Sequence, residues 1–231
     1  MRKTMVTVCA VLLCLLLTVA AVADTMVGSV TAKPAPEVSG SGGSTVIEIK
    51  DENGKVVAST ETVKIEVTPV ASVVQTQDPT AETVPGETVP GETTAVPVSE
   101  EVAAELKAAY ELLSDESTDV VAVVKGLEEV LQENQVEASN LVVKDLFHVD
   151  IDDEAIKEYL AVEGNTITLN FKADIQEGQF VTVAVLVDGE WILVEDVVVL
   201  EDGTIDVTLG YLGTVAIFVD GSVAQAAEES E

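Results

Sequence analysis

One imidazole is available to this sequence, His148. Any nucleophile–histidine–carboxylate arrangement would have to use it as the general base. Around it, Phe147, Val149 and Ile151 alternate with His148, Asp150 and Asp152. That period of two is a strand signal and puts His148 on the more polar face beside Asp150. The plainer reading is a solvated strand histidine. Both cysteines, Cys9 and Cys14, lie in the first apolar stretch. Past that stretch, one histidine and carboxylates are all that a zinc site could draw on.

Asp150, Asp152, Asp153 and Glu154 form the densest acidic cluster. Calcium takes several oxygen ligands from such runs. An EF-hand loop would need glycine at position 155 and an acid near position 161, where Ala155 and Ala161 stand. The competing reading is a strand end followed by acids in the first turn of a helix, which the helix dipole favours. Paired carboxylates could also serve a glycosidase. With 42 acidic residues, however, some pair will lie at a workable distance whatever the function. Lys144 or Lys172 with Asn170 could form an isopeptide crosslink, but that chemistry needs a buried, deprotonated lysine. Their strand parity places these residues on polar faces. Phe147, Phe171 and Phe180 sit in strand patterns and read as core, and Trp191 follows a tight turn as a hairpin packing residue. No Gly-rich phosphate loop precedes a helix. The expectation is therefore no catalytic, cofactor-binding or metal-binding residue, and a non-enzyme.

Charge narrows the partners. Lys plus Arg number 11 against 42 Asp plus Glu, a formal charge of −31. Phosphate backbones and anionic lipid repel such a polyanion, so neither nucleic acid nor membrane surface is an expected partner. Hydrophobic residues make up 47% of the chain, enough to build a core rather than an acidic disordered coil.

The elements that must position these side chains can be read in order. Residues 1–23 have the form of a secretory signal peptide: Arg2 and Lys3, an apolar run centred on Leu12 to Leu17, then Ala21-Val22-Ala23 as a cleavage site. Residues 24–43 end in Ser39-Gly40-Ser41-Gly42-Gly43 and read as a flexible linker. Residues 44–74 alternate around Asn53-Gly54, a hairpin turn signal. Such a short β-hairpin segment should either pair with a later sheet or stay mobile. Residues 75–98 hold the Pro/Gly/Glu/Thr-rich repeat Thr83-Val84-Pro85-Gly86-Glu87, Thr88-Val89-Pro90-Gly91-Glu92 and read as a solvated spacer.

Residues 99–138 predict a helical hairpin. Ser99 is its N-cap, Val102, Leu106, Tyr110 and Leu113 form one stripe, and Val120, Val124, Leu127 and Leu131 form the other. Residues 139–221 then read as an antiparallel β-sandwich. A short helix is expected near 153–160, and turns at Asp188-Gly189 and Asp202-Gly203. Glu195 and Asp196 interrupt an apolar run and predict a bulge or bend, and residues 222–231 read as an acidic tail. The fold class expected is α+β: a helical hairpin followed by an antiparallel β-sandwich, with a flexible N-terminal β-hairpin region.

Four stretches carry a resemblance. They are Val143-Lys144-Asp145-Leu146-Phe147, Val183 to Val194 with Asp188-Gly189-Glu190-Trp191, Asp202-Gly203-Thr204, and Gly213-Thr214-Val215-Ala216-Ile217-Phe218-Val219. In that order they resemble a β-sandwich module of secreted and wall-associated proteins of Gram-positive gut bacteria, over roughly residues 141–220. The resemblance implies a surface location and brings no catalytic residues. No Leu-Pro-x-Thr-Gly motif is present, so surface retention, if any, is expected to be non-covalent. The expected function is a secreted, acidic, non-catalytic structural or interaction module, with an extracellular protein or cell-wall component as partner. A carboxylate-dependent hydrolase and a calcium-stabilised adhesin are the alternatives.

Overall fold

The computed structural model describes residues 35–38, 47–60, 63–74, 98–176 and 178–222. The expected signal peptide, most of the expected linker, nearly all of the expected spacer and the expected tail beyond Ser222 lie outside the described residues. The protein is α+β, with two antiparallel-rich sheets and a few helices.

The first sheet runs β10 (Val197–Val199), β11 (Thr204–Leu209), β7 (Thr166–Lys172), β2 (Ile47–Lys50), β3 (Val56–Thr60). The short β1 (Glu37–Val38) joins it by pairing with β7 at Lys172 and Phe171. The second sheet runs β4 (Ile65–Pro69), β6 (Leu141–Ile151), β12 (Gly213–Asp220), β8 (Val181–Val187), β9 (Glu190–Leu193), β5 (Val124–Lys125). The chain crosses between the sheets from β3 to β4, β6 to β7, β7 to β8, β9 to β10 and β11 to β12.

Alternation decides which face each residue serves. Ile167, Leu169 and Phe171 of β7 and Ile205, Val207 and Leu209 of β11 share one apolar cluster with Phe147, Val149, Val215 and Ile217 of the second sheet. Phe147 and Phe171 meet there, with ring centroids 5.3 Å apart and planes tilted by 48°. The opposite face of the second sheet, including Leu146, Ala184, Ala216 and Phe218, is covered by helical residues Leu106, Ala109, Leu113, Leu127 and Leu131. β12 is buried from Gly213 to Val219 because it lies between β6 and β8 and is covered on both faces.

Three expectations change. Glu37–Val38 lies in the expected linker yet forms a strand, since β7 offers an open ladder and Val38 buries its side chain. The N-terminal β-hairpin region, expected to be flexible, takes the other course left open to it and pairs with later strands. Its Asp51–Lys55 turn joins β2 to β3 as expected, but β2 pairs with β7 and β4 pairs with β6. Burial of Ile47 and Ile65 ties the segment into the cluster between the sheets.

The second helix of the expected hairpin is split. The first, α2 (Glu100–Ser114), follows the short α1 (Ala71–Val74) and is capped by the Ser99 hydroxyl, which accepts from the Val102 N–H at 3.2 Å. The second becomes α3 (Val120–Val123), then β5, then α4 (Leu127–Glu133). Its valines lower helix propensity, and Gly126 sits at φ 87°, outside the right-handed helical region. Val124 and Lys125 instead pair in parallel with Trp191 and Ile192 of β9.

The turns follow their residues. Asp188 and Gly189 both have positive φ, as a tight turn between β8 and β9 requires. Asp153 caps α5 (Glu154–Leu160) by accepting from the Ala155 and Ile156 N–H groups. Among the described residues, no helix is long and apolar enough to cross a membrane.

Candidate functional site

β6 and β12 run side by side with His148 opposite Thr214. Both side chains lie on the face that the helices cover, the face of Leu146 and Ala216. Burial of Leu106 seats α2 on that face, and Glu105, its neighbour, reaches the pair. The Thr214 hydroxyl donates to Glu105 Oε1 at 2.5 Å. His148 Nδ1 lies 3.3 Å from Thr214 Oγ1 and 3.4 Å from Glu105 Oε1.

A hydroxyl, an imidazole and a carboxylate are thus together, but not in series. A relay uses opposite nitrogens of the imidazole, one toward the nucleophile and one toward the acid. Here one nitrogen meets both partners, and the threonine proton points to the carboxylate. Thr214 is 0% exposed, so no substrate atom reaches its oxygen without displacing the helix. The arrangement is a polar clasp that holds α2 on the sheet. Thr214→Val keeps the shape and removes the hydroxyl. It should cost about 1–3 kcal/mol, as for any half-buried polar pair left short of a partner. Chemical denaturation would read this, and no loss of stability would refute the clasp.

His148 is therefore half-buried and partnered rather than a solvated strand residue. Sequence reading found the histidine but missed Glu105 and Thr214. Neither sits in a local motif with it, and only the strand-to-strand register and the docked helix join the three.

The acidic cluster does not converge. Asp150 pairs with Lys157 at 3.1 Å and accepts from the Ile151 N–H. Asp153 spends its carboxylate on the helix cap, while Asp152 and Glu154 are exposed. Among the described residues, no group of three or more His, Cys, Asp or Glu is placed to hold a metal ion. The crosslink candidates are also parted. Asn170 donates to Asp206 Oδ1 at 2.7 Å, Lys144 donates to the Asp174 carbonyl, and Lys172 lies 3.7 Å from Glu37.

A second polar network ties the strands of the first sheet. Lys50 of β2 reaches Asp196 and Thr208, each at 3.2 Å, and the Thr208 hydroxyl donates to Asp196 at 2.9 Å. The Thr208 hydrogen bond, then the lysine, holds the Asp196 carboxyl below its ordinary value of 3.8. A depressed folded pKa stabilises the fold above the unfolded value and is lost as pH falls through the folded one. The stability gap between the wild type and Asp196→Asn should be full near neutral pH and shrink below pH 3.8. It should stay under about 1 kcal/mol, because the carboxylate is half exposed. A gap that widens in acid would contradict this.

Among the described residues, a groove of about 1260 Å³ is lined by strands of both sheets and by a helix. Its walls come from β8, β9, β10 and α4, and include Phe180, Trp191, Ile192, Val197 and Val199. Trp191 is buried, as a packing residue should be, yet it also forms part of this wall, and its indole N–H has no hydrogen-bond partner. Glu129, Glu190 and Glu195 stand around the groove with Lys125. Sequence reading had no signal for it, because its walls come from segments far apart in the chain.

Compared with protein-family models, with curated proteins and with solved structures, the chain finds no match.

Proposed function

We propose that this protein is an exported, acidic, non-catalytic structural or interaction module. In this reading the two sheets form a β-sandwich backed by the helices, of the kind carried by secreted and wall-associated proteins of Gram-positive gut bacteria. The observation that carries the non-catalytic part is the closed Glu105–His148–Thr214 clasp. There the one histidine shares a single nitrogen between a fully buried hydroxyl and its carboxylate. The export part rests on the Arg2-Lys3, Leu12 to Leu17, Ala21-Val22-Ala23 pattern. The charge of −31 keeps such a module soluble and draws it to cationic extracellular or cell-wall partners. That attraction is screened beyond about 8 Å at physiological salt.

Two measurements test the reading. Expression in a Gram-positive host, followed by fractionation into medium, wall and membrane, should give a chain that begins at Asp24 in the medium or loosely held at the wall. Retention in the cytoplasm would refute export. The purified protein should turn over no member of a glycan and peptide panel. Reproducible turnover that is lost in Glu105→Gln or His148→Ala would refute the non-catalytic assignment.

A further inference from the structure

We propose that the groove beside Trp191 takes an extended peptide strand of alternating apolar and basic residues, added to the open edge of β10. The proposal rests on the interaction-module reading and assigns it a surface and a partner chemistry.

The backbone sets the geometry. β10 is the terminal strand of its sheet and pairs only with β11 among the described residues. The Thr208 N–H donates to the Asp196 carbonyl at 3.0 Å, and the Leu200 N–H donates to the Thr204 carbonyl at 2.8 Å. Antiparallel ladders alternate between bonded and non-bonded pairs. Asp196, Val198 and Leu200 therefore bond toward β11, and Val197 and Val199 turn their N–H and C=O groups to the open edge. The side chains of the same two valines line the groove. In register they sit opposite Val207 and Ile205, which are fully buried between the sheets. An added strand would thus find a hydrogen-bonding edge and an apolar gap together, which is the pattern of recognition by strand addition.

Chemistry chooses the occupant. Ile192 and Val199, both in the groove's lining, are 39% and 38% exposed, so apolar surface is open to an incoming strand. The groove's ionisable groups are Glu129, Glu190 and Glu195 against one lysine, Lys125. A second copy of this chain would bring the same carboxylates and a further charge of −31 to the edge, and like charges across an interface repel. A basic, apolar-alternating strand satisfies the edge, the gap and the carboxylates at once.

Trp191 is the single tryptophan, so its fluorescence reports the groove directly. The test uses the full mature chain and a synthetic peptide of about eight residues alternating lysine and valine, with a glutamate–valine peptide as control. The basic peptide should shift Trp191 emission saturably, with affinity falling as salt rises, and the acidic peptide should bind at least tenfold more weakly. Val199→Pro, which removes an outward N–H while sparing the bonds to β11, should weaken binding at least tenfold. The surface variant Glu129→Lys/Glu190→Lys/Glu195→Lys, which leaves the core untouched, should reverse the preference between the two peptides. No shift with the basic peptide, or binding unchanged in both variants, overturns the proposal. So does a shift that tracks protein concentration and dimerisation instead, which assigns the edge to a second copy. Peptide binding seen by calorimetry with Trp191 emission unmoved sinks the groove and leaves the module reading standing. Cleavage of the peptide would sink the module reading itself.

Discussion

Phe171→Ala should lower the stability of the protein by about 3–5 kcal/mol, the usual cost of deleting a fully buried aromatic ring. Phe171 is 0% exposed and belongs to β7, the strand on which β1, β2 and β11 all pair. Its ring faces Phe147 of the other sheet at 5.3 Å. Truncation therefore opens a cavity at an aromatic contact between strands of the two sheets, where backbone on both sides is pinned by hydrogen bonds and collapses poorly. Urea unfolding followed by far-ultraviolet circular dichroism would measure the loss. A cost under about 1 kcal/mol would mean that the sheets do not depend on this contact.

Phe218→Ala should cost a similar amount, about 3–5 kcal/mol, on the opposite face of the second sheet. Phe218 is also 0% exposed, but it packs in the cluster formed with Leu106, Leu113, Leu127 and Leu131. Trp191 belongs to that cluster, so its emission should move toward that of a more solvated indole in this variant. The Phe171 variant, whose lesion lies in the other cluster, should leave native emission in place. Comparing fluorescence with circular dichroism then asks whether the two clusters melt together. The central sheet serves both, and β12 contributes Val215 and Ile217 to one and Ala216 and Phe218 to the other. We therefore expect coincident transitions in both variants. Helices that melt before the sheets would show that the clusters are separable.

Much of this architecture was legible because local signals agreed with one another. Alternation along Ile205, Val207 and Leu209 gave the buried face of a strand, and Asp188-Gly189 and Asp202-Gly203 gave turns that the structure contains. Ser99 and Asp153 marked helix starts through side chains that accept backbone N–H groups. Other features were illegible for physical reasons. Periodicity tells which face a residue serves but not which strand lies beside it, so the central place of β12 could not be read. The register shift opposite Ile217 and Phe218 reverses the facing of β6 near Lys144, and no Gly or Pro announces it. The valines at 120–124 match a helical stripe and a strand equally well, and an open edge on β9 decided between them. The clasp joins pairs of residues 43, 66 and 109 apart, distances over which single-sequence patterns carry no contact information.

The repeated crossing of the chain between its sheets has a kinetic consequence. β4 needs β6, β2 needs β7, and β6 and β8 meet only through β12, the last strand among the described residues. Neither sheet can be completed before its late strand, β11 in one and β12 in the other, has been made, so the nascent polypeptide carries incomplete sheets until then. Pairings between distant segments slow refolding. For a protein proposed to be threaded out of the cell, that delay keeps the chain pliable during passage and postpones its locking until the far side.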